Sequence, residues 1–214
     1  MRRGLAGMLC VLGATAILSA VQMTLDPRTV SDAIAIGQSR ADADRARFHA
    51  PYRMQVGRAP VDAIEVVTPF RRVVLHAESR TRSGDRSFGQ RQALELLNAS
   101  PAELDLWVDL TFHPLNTYVG VPAYDVYLID TAGIRIPPRT VERLPRYGAR
   151  VEGEPSRLPV PGGSAGGRAQ PLLGATVTAQ FDGRLLNATG AYDAVVVEGR
   201  TELARVRMEL GKLR

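Results

Sequence analysis

Apolar residues recur at two different periods along this chain of 214 residues, and the change of period divides it. Before residue 100, several stretches carry apolar residues three and four positions apart, which is the helical repeat. After residue 100, apolar and polar residues alternate, as in strands with one buried face. The pattern predicts an α+β protein in which a mainly helical portion, residues 23–100, precedes an antiparallel β-sandwich, residues 101–214.

Three helices are expected in the helical portion. The first covers residues 29–48. The second follows Thr68, which suits an N-cap because the next residue, Pro69, can occupy the first helical position without losing a hydrogen bond. The third is expected to begin at Ser87, with Gln90 completing a capping box. The apolar stripe of the second helix follows the spacing of 3, 4 and 7: Phe70, Val73, Val74 and Ala77.

The charged residues of the second helix are expected on its solvated faces, because arginine and glutamate are seldom buried. This expectation covers Arg71, Arg72 and Glu78. Short strands are also expected in this portion, over residues 52–56 and 64–67.

Five to seven short strands are expected after residue 100. The clearest alternation runs over residues 104–112, with Asp105, Trp107 and Asp109 on the wetter face. Many short antiparallel strands are typical of a sandwich, whether immunoglobulin-like or a partly closed barrel. The stretch 153–171 contains five glycines and four prolines and is expected to be a flexible loop. The other expected strands cover residues 124–130, 134–136, 172–181, 191–198 and 202–210.

The N-terminus has the pattern of an export signal. Arg2 and Arg3 precede an uncharged apolar run over residues 4–21, which indicates a secretory signal peptide over residues 1–22 or an uncleaved signal anchor. The predicted location is therefore the bacterial periplasm or the cell exterior. An uncleaved segment would anchor the protein to the inner membrane, and it is the only membrane contact we expect.

The charge argues against a nucleic-acid-binding protein, and the cysteine content argues against a protein stabilised by disulfides or by cysteine-ligated zinc. The chain has 27 Lys plus Arg against 22 Asp plus Glu, a net charge of +5, and residues 101–214 are neutral, with 13 of each sign. So small an excess does not predict nucleic-acid binding. Cys10 is the only cysteine, so neither an internal disulfide nor a zinc site built from cysteines can form.

The candidate binding residues belong to two proline-containing segments, residues 113–123 and 144–148, or, in the case of Tyr124, to the start of the strand that follows the first segment. Prolines stiffen a loop and lower the entropy cost of binding, and loops on a rigid sheet often carry function. The alternative is a structural corner in which the polar side chains bind local backbone groups. The candidates are His113, Asn116, Tyr118, Tyr124, Arg146 and Tyr147.

No arrangement of residues indicates catalysis, a metal or a cofactor. Ser164 lies in a G-x-S-x-G match, but neighbouring prolines and glycines prevent the strand and helix that a nucleophile elbow requires. The histidines, at 49, 76 and 113, lack metal-ligand spacing. Asp105 and Asp109 beside Trp107 have the residue types of a sugar site, although acids on a solvated strand face are the commoner case.

These observations favour a non-catalytic binding or assembly module of the cell envelope, whose partner is another envelope protein. One alternative is an envelope hydrolase or sugar-active enzyme that uses Asp105, Asp109 or the histidines. Another is a small-ligand carrier with its pocket between the helices and the sheet.

Overall fold

The computed structural model describes residues 21–113, 115–148 and 171–214 and confirms the α+β class. Within these ranges the helices are α1 (Pro27–Gly37), α2 (Asp42–His49), α3 (Pro69–Arg82) and α4 (Gln90–Ala99). The strands are β1 (Arg53–Arg58), β2 (Val61–Val67), β3 (Glu103–Thr111), β4 (Tyr124–Ile129), β5 (Arg135–Ile136), β6 (Thr140–Tyr147), β7 (Leu172–Asp182), β8 (Ala191–Glu198) and β9 (Thr201–Glu209).

The strands form two antiparallel sheets. The large sheet has the order β1-β2-β3-β7-β6, and the small sheet has the order β5-β4-β8-β9. Because β1 and β2 precede residue 100 and pair next to β3, the large sheet takes strands from both sides of that position. Neither sheet closes on itself within the described ranges.

Both sheets contribute to one apolar core. The period-two pattern of β3 is confirmed, since its even-numbered residues from Leu104 to Leu110 are fully buried. They join side chains of the small sheet, among them Val126, Leu128 and Val196, in one continuous cluster. The inner faces of the two sheets therefore bury each other's apolar residues, which is the main stabilising contribution that such a pattern can make.

The helices build a second apolar cluster around α3. The predicted N-cap is confirmed, since the Thr68 hydroxyl accepts a hydrogen bond from the Arg71 N–H, and the predicted apolar stripe is buried. Helix α1 approaches α3 closely at Gly37, where an added Cβ would lie 2.5 Å from the Val74 carbonyl oxygen. Phe48 packs against both clusters and so links helices and sheets.

Two helix boundaries were predicted wrongly. Residues 29–48 form two helices instead of one, because α1 ends where Gly37 packs on α3, and α2 buries no side chain of its own. The last helix begins at Gln90 and not at Ser87, whose N–H and hydroxyl both bind the Asp85 carboxylate.

Residues 144–148 are not a separate loop, because 144–147 form the end of strand β6. The expected loop 153–171 and the expected export signal lie almost wholly outside the described residues. None of the helices in the described part combines the length and apolar character that crossing a bilayer requires.

Candidate binding surface

The two segments that carry the candidate binding residues meet at the first residues of β7. The Asn116 side-chain amide donates a hydrogen bond to the Leu172 carbonyl at 2.9 Å, and the Phe112 N–H donates to the Leu173 carbonyl at 2.9 Å. On the other side of β7, Tyr147 of β6 pairs with Leu172. Strand pairing thus places segments that are 20 residues or more apart in the sequence side by side.

Polar side chains hold the loop after β3 in shape. The His113 Nδ1 accepts a hydrogen bond from the Leu115 N–H at 3.1 Å. The Asn116 amide donates to the His113 carbonyl at 2.7 Å, and its oxygen accepts from the Tyr118 N–H at 3.0 Å. Asn116 therefore has the local structural role that the sequence set against binding, and His113 shares it.

Apolar side chains are exposed around this junction, and we name them the loop-end surface: Leu115, Tyr118, Val119, Tyr147 and Leu173. Leu115 is 83% exposed and Val119 is 98% exposed. Single exposed apolar residues are ordinary, whereas a group at one place is typical of an interaction site. Sequence reasoning missed Leu115, Val119 and Leu173. For Leu115 and Val119 the sequence did contain a signal, because these apolar residues lie among turn residues, where no helix or strand needs them for a buried face. Leu173 lies in a predicted strand and gave no such signal.

Tyr124 lies beneath this surface and not on it. Its side chain is fully buried, and its ring stacks on Phe112 with centroids 6.2 Å apart. Phe112 also makes an edge contact with Tyr118, with ring centroids 5.1 Å apart. Burial raises the pKa of the Tyr124 hydroxyl well above its ordinary value. Tyr124 therefore supports Phe112 and Tyr118 from below, and a partner on the surface would not touch it.

Arg146 also has a structural role. Its guanidinium donates to the Leu110 carbonyl at 2.9 Å and reaches the Thr111 hydroxyl at 3.3 Å, so it crosses the intervening strand β7. It crosses at Gly174, where an added Cβ would lie 2.6 Å from the Arg146 Nη2. Of the six candidates from the sequence, Tyr118 and Tyr147 therefore present exposed rings that do not hold a backbone group in place.

The free edge of β6 is poorly suited to receive another strand. The Phe112 N–H donates to the Leu173 carbonyl, so odd-numbered residues of β7 direct their backbone groups to β3 and even-numbered ones direct theirs to β6. Over residues 140–146, the even-numbered residues of β6 pair with these even-numbered residues of β7. Odd-numbered residues of β6, including Pro145, therefore face the free edge. Proline lacks an N–H, and a proline on an edge strand is a common protection against strand addition. A partner at this surface would therefore bind through side chains and not by adding a strand to the sheet.

The two acids proposed for a sugar-active enzyme, Asp105 and Asp109, are each paired with an arginine side chain. Asp105 was expected on a solvated face, but it is buried, and Arg72 of α3 donates to its Oδ2 at 2.9 Å. Burial raises the pKa of Asp105, and the Arg72 charge opposes this shift. Asp109 pairs with Arg53 at 3.1 Å. Neither carboxylate is free to act on a substrate in this arrangement.

A second set of buried charges joins α2, α3 and the large sheet. Arg71, Arg72 and Glu78 were predicted to be exposed, and this prediction is wrong, since all three are buried. Glu78 accepts from the His49 Nε2 at 3.1 Å, while the Arg71 Nε donates to the His49 Nδ1 at 3.3 Å. The ring is therefore neutral with its proton on Nε2. Arg71 also pairs with Glu65 of β2.

These charges pair with one another, and within the described ranges they form no metal site. Burial lowers the pKa of His49, although the Glu78 carboxylate opposes the shift. His76 instead stacks on Phe88, and His113 belongs to the loop after β3, so the histidines do not converge. The described residues contain no group of three or more metal-ligating side chains.

An open cleft of about 510 Å³ lies between α1 and α2. It lies between two helices, and not between the helices and the sheet as a carrier pocket was expected to do. Its walls are mainly apolar, and its mouth carries Asp44 and Arg47. The lining residues are Ala35, Ile36, Ser39, Asp44, Arg47 and Phe48.

Comparison with known proteins identifies no relative: no family model matches the chain, and neither curated proteins nor solved structures give a significant match.

Proposed function

We propose that this chain is a non-catalytic protein-binding module whose partner docks on the loop-end surface. The observation that carries this proposal is that several exposed apolar side chains, with Leu115 and Val119 almost fully in solvent, lie in segments that meet at the start of β7, one of them a loop fixed by hydrogen bonds. An ordered apolar surface gives a partner contact area at little entropy cost. Exposed tyrosines such as Tyr118 and Tyr147 are frequent anchors in protein interfaces.

The arrangement of the two sheets and the cellular location of the protein are also inferences. We infer that the two sheets form a β-sandwich, because their inner faces share one core. We also infer export to the periplasm or the exterior, because Arg2 and Arg3 precede an apolar run. The partner is then another envelope protein. Docking through side chains is consistent with the position of Pro145 on the free edge of β6, because a proline there disfavours the addition of another strand.

The experiment is affinity capture of the full chain and two variants from crosslinked cells of its native host. Leu115→Asp places a charge at one of the most exposed residues of the loop-end surface. Leu185→Asp is the matched control, because Leu185 is an equally simple exposed leucine just beyond the other end of β7, about 35 Å away along the strand. Neither leucine is buried, so both variants should keep the stability of the parent chain.

We expect a partner that the parent chain and Leu185→Asp capture in equal amounts and that Leu115→Asp captures at least about tenfold less. Equal capture by all three proteins would place the interaction elsewhere. Recovery of the bare chain alone would contradict a protein-binding role.

A further inference from the structure

The outer face of the large sheet carries the chain's only tryptophan at its centre. The odd-numbered residues of β3 point to this face, since the even-numbered ones fill the core. One row of side chains crosses all five strands here, and strand pairing defines it. The row consists of Arg53, Glu65, Trp107, Thr178 and Glu142.

The helices cover only one end of this face. Val67 and Asp105, one step along the strands, are buried where α3 places Arg72 against the sheet. Trp107 is half-buried, and Glu142 on the outermost strand is exposed. The row therefore remains open to solvent from its centre to the edge of the sheet.

The charged groups at the β1 end of the row are paired with one another, whereas the polar groups at the β6 end have no partner among the described residues. Arg53 pairs with both Glu65 and Asp109, which fixes these three groups beside the tryptophan. On the other side, the Trp107 indole N–H, the Thr178 hydroxyl and the Glu142 carboxylate have no hydrogen-bond partner within the described ranges. An aromatic ring with a free donor, flanked by free polar groups, is able to hold a ligand that is partly apolar and partly polar.

We propose that this face binds a neutral carbohydrate chain, with Trp107 as the central contact. A sugar ring has an apolar C–H face that packs on an aromatic ring, and its hydroxyl groups both donate and accept hydrogen bonds. Five strands at about 4.8 Å spacing give a row roughly 19 Å long, enough for a short oligosaccharide. The proposal is independent of the loop-end surface.

The charges of the row select against other ligands. The guanidinium groups at the row, Arg53 and Arg71, are both already paired with Glu65, and Glu142 has no ion-pair partner among the described residues. A phosphate or sulfate group would therefore find no free positive charge and would be repelled by Glu142. A protein partner would meet only two large apolar groups on this face, Trp107 and the exposed Leu144, among polar and charged side chains, which is a poor interface core. A neutral ligand rich in hydroxyl groups fits both restrictions. Asp105 and Asp109 are held by arginines, so these two acids take no part in the proposed binding.

The test uses the intrinsic fluorescence of the full chain, purified in mild detergent, because its single tryptophan lies in the proposed site. The probes are cellotetraose, chitotetraose and maltotetraose, with a sulfated tetrasaccharide as the charged comparison. Two variants accompany them. Thr178→Arg blocks the row without changing the core, and Thr201→Arg places the same residue on the exposed strand β9 of the small sheet.

We expect at least one neutral tetrasaccharide to change the tryptophan emission with saturation, and the sulfated one to leave it unchanged. Thr178→Arg should weaken this binding at least about tenfold and Thr201→Arg should not. Calorimetric titration of Trp107→Ala should show the same loss, with circular dichroism as the check of folding. The proposal is overturned if no neutral probe binds, or if Thr178→Arg and folded Trp107→Ala bind as the parent chain does.

Discussion

The buried ion pair between Arg72 and Asp105 yields the sharpest prediction about stability. Arg72→Met removes the charge that faces Asp105, together with the hydrogen bond to the Ser100 carbonyl at 3.2 Å. Removal of one partner of a buried ion pair commonly costs about 3–5 kcal/mol, because the other charge stays buried and unpaired. We therefore expect the free energy of unfolding to fall by about 3–5 kcal/mol at pH 7.5. Urea unfolding followed by circular dichroism measures this difference.

The same loss should depend on pH. Burial already raises the pKa of Asp105 with Arg72 present, and without Arg72 nothing opposes that shift. A folded-state pKa above the unfolded value means that the folded variant gains stability as the pH falls through that pKa. The difference between Arg72→Met and the parent chain should therefore shrink by at least about 1 kcal/mol between pH 7.5 and pH 5.

Two controls complete this experiment. Arg80→Met removes an exposed arginine from the same helix and should change stability by no more than about 0.5 kcal/mol. The double variant Arg72→Met/Asp105→Asn should recover at least half of the loss, since neither charge remains. A loss below about 1 kcal/mol for Arg72→Met, or one that is equal at both pH values, would refute the burial of this pair.

Three further predictions concern other contacts. Because the folded-state pKa of His49 is lowered, the parent chain should lose stability as the pH falls below about 6.5, and His49→Gln should lose less in the same urea series. Gly37→Ala should lower the free energy of unfolding by about 1–3 kcal/mol, because its Cβ would meet α3; an unchanged denaturation midpoint would contradict this close packing. Asn116→Ala should cost about 1–2 kcal/mol through its lost backbone hydrogen bonds, and equal hydrogen exchange at Tyr118 in both proteins would show that the amide does not fix the loop.

Local patterns predicted those elements whose cause is local. The cap at Thr68 and the alternation of β3 depend on neighbouring residues, and the structure has both. Strand β6 was missed because Pro145 and its arginines hide the alternation, and because an edge strand needs few apolar residues. Its pairing with β7 is a long-range property that a single sequence does not specify.

The buried arginines show a second limit of sequence reasoning. Arg71 and Arg72 follow the polar faces of an amphipathic helix, and such residues are normally solvated. Their acidic partners, Glu65 and Asp105, lie on two strands that come together only when the sheet forms. The loop-end surface has the same origin, since the sequence indicated residues 113–123 and 144–148 separately and strand pairing joins them.

The most direct test of the protein-binding role is site-specific photocrosslinking in living cells. A photoreactive amino acid replaces Val119 in the loop-end surface, and in a parallel strain it replaces Leu185 at the far end of β7. We expect one discrete crosslinked partner from position 119, absent from position 185 and lost when Leu115→Asp is added. The absence of any crosslinked protein from position 119, or the same crosslinked proteins from both positions, would contradict the docking of a partner on this surface.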